Sequence, residues 1–228
     1  TEAGDGAGSG VIISEDGVVP TAAHVIGKTG KKMHVRLPNG KRVPAVSLGG
    51  SEISDAGMLK ITRKGKWPFA PIASMDKSKV SDWCFAIGHP GGYDKKRGVV
   101  VRLGRVIAKT DETLQSDSRL LGGDSGGPLF NFDGEIIAIH SRISEKSDQN
   151  FHVPIECFHT NWEFYRTGEI LTFNKLVGMG FLGVGCEKTD AGLNILNVIE
   201  GSAADRIGLI KNDLLLSVDG EKLDSVEE

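Results

Sequence analysis

The stretch Gly122-Gly123-Asp124-Ser125-Gly126-Gly127-Pro128-Leu129 sets one serine among glycines and closes on a proline. Glycines on both sides let the backbone turn tightly and let a second segment come close. The serine is then exposed at a turn, where its N–H can point the same way as that of Gly123. A hydroxyl beside two converging N–H groups is what acyl transfer needs: a nucleophile and an oxyanion hole. The bare pattern is also that of a Gly/Ser loop, so its meaning depends on partners elsewhere in the chain.

A serine hydroxyl is a poor nucleophile unless a base takes its proton, and the base needs an acid to fix its tautomer. His24 ends the segment TAAHV, whose small residues leave its ring room. Asp55 stands in SDAGMLKI, at the mouth of a strand-like run. The order His24, Asp55, Ser125 is that of the chymotrypsin-like double barrel. Other histidines have simpler roles. His34 alternates on a charged strand, His89 belongs to a Pro-Gly turn, and His159 lies on a helical stripe. His140 and His152 fall on strands after the serine and read first as satisfied structural histidines. Asp82, Asp94, Asp111 and Asp133 are loop or turn acids. Asp124, next to the serine, shapes its loop and points away from His24.

Around these residues the chain reads as many short strands. Residues 9–14 and 17–21 predict a hairpin through Glu15-Asp16-Gly17, and 33–37 with 42–48 predict a second through Pro38-Asn39-Gly40. Runs at 56–62, 83–87, 99–108, 128–132, 135–141 and 151–154 follow, with turn signals between them. This spacing predicts a mainly β fold, barrel or sandwich. Ile155, Phe158, Trp162 and Tyr165 predict a helix over 155–166 with a packed stripe. A second unit begins near 175. It holds a glycine cluster at 178–185, a strand at 193–198, a short helix Ala203–Ile207 stopped by Gly208, and a strand at 213–218.

The 228 residues allow one large domain, or one domain and part of another. A net charge of −3 gives no sign of a nucleic-acid or anionic-membrane partner. No apolar run approaches the ~18 residues of a membrane helix. The chain opens on Thr1 without an initiating methionine, so it reads as trimmed, with targeting segments removed. Cys84, Cys157 and Cys186 are widely spaced, without CxxC or HExxH, so neither a metal site nor a disulfide framework is expected.

The segments GSGVIIS, TAAHVI, SDAGMLKI, WCFAIGHPGG, QSDSRLLGGDSGGPLFNFDGEIIAI and NFHVPI resemble, in order, those of the HtrA (Deg) family of trypsin-like serine proteases. The C-terminal part resembles the start of a PDZ domain. The resemblance implies a chymotrypsin-like double β-barrel over 1–174 and a truncated PDZ domain over 175–228. It implies Ser125 as nucleophile, His24 as general base and Asp55 as its orienter. It assigns the oxyanion hole to the N–H groups of Gly123 and Ser125. Leu120, Ile139, His140 and Ser141 would line the substrate site, the strand backbone pairing with the substrate. Loops near 91–97, 110–118 and 142–150 match regulatory loops that order and disorder the site. Gly180, Phe181, Leu182 and Gly183 match the PDZ loop that receives a peptide carboxylate. The helix completing that groove would follow Val226.

Three departures stand out. Asp124 replaces the family's usual asparagine; trypsin has aspartate there and pairs it with a newly cut N-terminus, which Thr1 does not evidently supply. Leu121-Gly122 replaces Asn-Pro, and Arg119 replaces a small residue. The expected function is a serine endopeptidase for unfolded or damaged protein, with no metal or cofactor. The alternatives are a peptide-binding or chaperone module with a latent protease site, and an esterase. The resemblance implies an extracytoplasmic, periplasmic setting. It implies a homotrimer, or a monomer if the preceding segments are needed for trimerisation.

Overall fold

Alternating runs such as Lys32–Arg36 become strands that bury one face, while Val18–Ala22 and Pro128–Phe130 are buried on both. The structure, a computed structural model, describes residues 2–3, 6–75, 77–143, 149–172, 182–189, 191–218 and 221–222. The chain divides into two compact units, Thr1–Leu171 and Thr172–Glu228.

The first half of unit one is a seven-stranded sheet. Its strands are β1 (Glu2–Ala3), β2 (Gly6–Ala7), β3 (Val18–Ala22), β4 (Lys32–Arg36), β5 (Arg42–Ser51), β6 (Ala56–Ile61) and, added in parallel to β5, β13 (Ile170–Leu171). The order is β2-β1-β4-β5-β6-β3. A one-turn helix α1 (Ala23–Ile26) follows β3 directly. The β4–β5 hairpin forms as expected, with Arg36 opposite Arg42 and Gly40 at φ 85°. The first expected hairpin is half made. Val11 and Ile13 donate to the carbonyls of Pro20 and Val18, at 3.4 and 3.0 Å, yet residues 9–14 form no strand. Pro20 has no N–H to return a bond, so the ladder stays one-sided.

The second half is a closed six-stranded barrel, β10-β11-β12-β9-β8-β7. Its strands are β7 (Trp83–Gly88), β8 (Val100–Lys109), β9 (Leu114–Ser116), β10 (Pro128–Phe130), β11 (Ile136–Ile143) and β12 (Asn150–Pro154). The sequence pattern does not announce β9. Three residues between polar turns carry no periodicity, and pairing with β8 and β12 makes them a strand.

The helical stripe splits into α2 (Ile155–Thr160) and α3 (Trp162–Arg166). Asn161 causes the break: at φ −108° and ψ 14°, its side-chain amide donates to the Cys157 carbonyl, 3.0 Å away. Ile155, Phe158 and Tyr165 remain buried. They join Ile13, Val18, Ala56 and Met58 of the sheet with Phe130, Ile136, Ile139 and Val153 of the barrel in one cluster. This shared core fixes the two halves against each other.

Unit two is smaller. Strands β14 (Val184–Thr189), β15 (Gly192–Val198) and β16 (Leu214–Leu215) form an antiparallel sheet, beside the pair β17 (Ser217–Val218) and β18 (Glu221–Lys222). The one-turn helix Ala203–Arg206 is capped by the Ser202 hydroxyl, which accepts from the Asp205 N–H at 3.2 Å. Gly208, at φ 80°, ends the turn.

Phe158 stacks edge-on to Tyr165 with ring centroids 6.0 Å apart, at the centre of the shared core. Phe158→Ala is expected to cost about 3–5 kcal/mol of unfolding free energy. A urea titration followed by tryptophan fluorescence checks this as a lowered midpoint at unchanged slope.

Candidate active site

His24 and Asp55 come from opposite ends of paired strands. Strand β3 ends at Ala22, whose register partner on β6 is Ala56. The helix that carries His24 therefore starts beside the turn that carries Asp55. That turn is held in place: Ala23 N–H donates to the Asp55 carbonyl at 2.9 Å, and Asp55 takes the left-handed φ of 60°. Aspartate tolerates this conformation better than most residues. The His24 N–H donates to Asp55 Oδ1 at 3.1 Å, and ring Nδ1 lies 3.0 Å from each carboxylate oxygen. A carboxylate only accepts, so Nδ1 carries the proton and Nε2 of the neutral ring is an acceptor.

The hydrogen bond to Asp55 raises the His24 pKa above the ordinary histidine range, against the opposing effect of burial. At Asp55 burial works to raise the pKa. Bonds from the His24 ring, the Ser141 hydroxyl and the His24 N–H overcome it and hold the carboxyl below its usual range. Ser141 Oγ donates to Asp55 Oδ2 at 2.6 Å, tying the barrel to the acid of the other half.

Ser125 Oγ donates to the Ser141 carbonyl at 3.3 Å. Among the described residues no hydrogen bond joins it to His24; ligand-free sites often leave such bonds unmade. The loop around Ser125 is tied through its carbonyls. Gly91 N–H donates to Gly122 O at 2.6 Å, Ser9 Oγ to Gly123 O at 2.8 Å, Gly127 N–H to Asp124 O at 2.8 Å, and Ser9 N–H to Ser125 O at 2.7 Å. In a trans peptide the N–H points opposite to the carbonyl before it. With Gly122 O and Asp124 O drawn away, the N–H groups of Gly123 and Ser125 turn the other way. Neither has a hydrogen-bond acceptor among the described residues. Gly123 takes φ 96°, and a Cβ there would stand 2.6 Å from the His89 carbonyl, so only glycine fits.

Residues 8–139 match the model of the trypsin-like peptidase domain. The chain belongs to the trypsin-like peptidase family. Residues 195–228 match the model of the PDZ domain. The chain is 32% identical over 236 residues to a protein of Chlamydia pneumoniae named a probable periplasmic serine endoprotease DegP-like, covering 96% of this chain and 48% of that one. A protein of the same name from Ectopseudomonas mendocina is also 32% identical, over 95% of this chain and 48% of its own length. The putative serine protease HhoA of Synechocystis is 28% identical, over 94% of this chain and 60% of its own. The chain thus spans about half the length of the DegP-like relatives.

Leu120 is buried in the barrel core, and its N–H donates to Asn150 Oδ1 at 3.1 Å. Ile139 packs into the core shared by the two halves. Arg119 is exposed. His140 is fully buried, with its Nδ1 2.9 Å from His152 Nδ1, while His152 Nε2 lies 2.7 Å from Ser116 Oγ. Burial holds His140 well below its ordinary pKa and His152 down to about 3, so both rings are neutral. One Nδ1 must then donate to the other. Gly180 and Phe181 lie outside the described residues, as do 144–148 of the loop at 142–150. The carbonyls of Leu182 and Gly183 accept from Ala204 and Ile199 N–H at 2.8 and 2.9 Å.

Sequence reasoning misses Ser9 and one of the two roles of Ser141. Ser9 ties the loop at Gly123 and Ser125, and its own carbonyl accepts from Thr21 Oγ1 at 2.9 Å. Ser141 was assigned to the substrate wall but also binds the acid through its hydroxyl. A small hydroxyl residue gives little local signal, because the partners that matter here, Asp55 for Ser141 and Gly123 for Ser9, lie 86 and 114 positions away.

His24 is expected to titrate above the ordinary histidine value of ~6.5, and Asp55→Asn should bring it down by removing the negative partner. A proton NMR titration of the His24 ring in both forms checks the sign.

Proposed function

We propose that this chain is a serine-type endopeptidase acting on unfolded or damaged proteins, with Ser125 as nucleophile, His24 as general base and Asp55 as the group that orients the base. The observation that carries the reading is the pair of N–H groups at Gly123 and Ser125, which have no acceptor among the described residues, beside a hydroxyl. Such donors have work to do when an oxyanion forms between them. The chemistry then follows. Ser125 rotates off the Ser141 carbonyl and attacks the scissile carbonyl carbon. Its proton passes to His24 Nε2, and the negative oxygen is held by Gly123 and Ser125. The tetrahedral species collapses, His24 protonates the leaving amine, and water releases the acyl group by the same route.

The backbone of β11 from Ser141 onward pairs with the substrate as an added strand, the N–H and carbonyl of His140 being already bonded to Gly127 and Gly126. Leu120 supplies an apolar wall, the buried histidines near it are neutral, and Arg119 faces solvent, so no charge is presented to the substrate side chain. Cleavage after Val, Ala, Leu or Ile is the assigned preference. The peptide-carboxylate role of the loop Gly180, Phe181, Leu182 and Gly183 rests on the family resemblance, since the PDZ match begins at residue 195, and the half-groove by itself is a poor binder of C-terminal peptides. The names of the relatives support a periplasmic setting, and no helix among the described residues is long and apolar enough to cross a membrane. We keep the domain limits 1–174 and 175–228, and as the assembly a homotrimer, or a monomer if the preceding segments are needed for trimerisation.

A second reading, a peptide-binding module with a latent protease site, draws on the Ser125 hydroxyl bound to Ser141 instead of His24. The four tied carbonyls of the loop favour the first reading. Ser125→Ala or His24→Ala should lower kcat on casein by several orders of magnitude, and Asp55→Asn nearly as much. Full activity in Ser125→Ala would overturn the assignment. The rate should rise with pH through the raised pKa of His24, because only the neutral ring takes the proton. Cuts mapped by mass spectrometry mainly after Lys, Arg or Glu would refute the apolar wall.

A further inference from the structure

Asp124 lies between the two residues whose N–H groups the proposed function uses, and it is fully buried. All its polar contacts hold the loop. Its N–H donates to Leu121 O at 3.0 Å, its carbonyl accepts from Gly127, and its Oδ2 accepts from Leu121 N–H at 2.9 Å. Oδ1 lies against Gly88 at the end of β7, where any Cβ would collide with it. Oδ1 has no hydrogen-bond donor among the described residues. Among the described residues the carboxylate faces one permanent cation there: Arg102 on β8, whose Nη1 is 3.0 Å from Oδ2 and whose side chain is only 17% exposed.

Arg102 does not reach Asp124 by chance of a long side chain on the surface. Strand β8 pairs with β7 so that Arg102 stands opposite Ala86, two residues before Gly88. The small residue and the missing Cβ leave the guanidinium a path to the carboxylate. The other titratable groups that face the pair are His89, after β7, and His140, on β11. Burial depresses the pKa of both, so neither supplies a charge near neutral pH. Without Arg102 the carboxylate would be a buried charge with no counterion, which must take a proton or leave. Leaving would pull Gly123 and Ser125 with it, since both are its chain neighbours.

We propose that Arg102 is a positioning residue for the oxyanion loop: an internal cation that locks Asp124 in place and so fixes the N–H groups of Gly123 and Ser125. It pairs with the aspartate that a trypsin pairs with a newly cut N-terminus, so the loop is set without a cleavage. It also accounts for aspartate at a position where HtrA proteases usually carry asparagine: the aspartate comes with its own counterion. The inference rests on the oxyanion-hole reading of the proposed function.

The test uses the full chain with Arg102→Met, Arg102→Lys, Asp124→Asn and the double variant Arg102→Met/Asp124→Asn. Readouts are kcat and KM on a peptide substrate, fluorophosphonate labelling of Ser125 between about pH 5 and pH 9, and thermal unfolding. Arg102→Met should lower kcat by about 10²–10³-fold, the scale of losing an oxyanion donor, with a much smaller change in KM. Its labelling rate relative to wild type should recover as pH falls, because protonation of Asp124 removes the orphan charge. Arg102→Lys should keep most activity. The double variant should recover to within about tenfold of wild type, since an amide still accepts from Leu121 without needing a cation. Wild-type kcat in Arg102→Met would overturn the proposal. So would a pH-independent loss that the double variant does not repair, which marks a purely structural arginine. If Arg102→Met does not fold, the lysine and double variants decide by the same criteria. Full activity in Ser125→Ala would instead sink the underlying reading.

Discussion

The carboxylate of Asp55 is the joint between the two halves of the protease-like unit. It takes bonds from the backbone and ring of His24 on its own side, and from the Ser141 hydroxyl on the barrel side. A buried carboxylate needs these donors to stay charged, and they come together only when the sheet and barrel are docked. The shared core of Met58, Ile139, Phe158 and Tyr165 supplies the docking force, and Asp55 supplies its direction. Hydrophobic burial is non-directional, whereas a short hydrogen bond fixes atoms to within tenths of an ångström.

The loop that carries Ser125 is shaped from outside. Its carbonyls are gripped by Ser9, from the entry segment, and by Gly91, from the turn after β7. Its one acidic side chain is gripped from β8. The N–H groups of Gly123 and Ser125, without acceptors among the described residues, are a consequence of where the carbonyls go. The glycines supply the conformational freedom, and their surroundings choose the conformation.

Unit two shows the opposite balance. Its hairpin, capped turn and Gly208 stop are local features, and each stands where its own residues place it. Leu193, Ile195 and Ala204 are buried there, while Leu196, Ile207, Ile210, Leu214 and Leu216 are exposed among the described residues. Among the described residues few apolar side chains of this small unit are shielded, as surface-to-volume scaling leads one to expect.

The sequence by itself determined what is local or carried by a chain of motifs. The period-two runs specified most strands, the Pro-Asn-Gly turn specified the β4–β5 hairpin, and the order of His24, Asp55 and Ser125 pointed to the site. Tertiary structure alone decided the rest. Leu114–Ser116 is a strand only because β8 and β12 flank it. Pro20 leaves the first hairpin one-sided, and Asn161 breaks a helix whose apolar stripe runs on unbroken. Ser9 and Ser141 gain their roles from partners that periodicity cannot report. His140 pairs with His152 because two strands set them face to face in register. Arg102 looks like one more alternating polar residue on a β-branched strand until the fold brings it to Asp124. Period and turn chemistry act over a few residues; hydrogen bonds and ion pairs of short reach are set by which distant segments the core brings within 3 Å or so of one another.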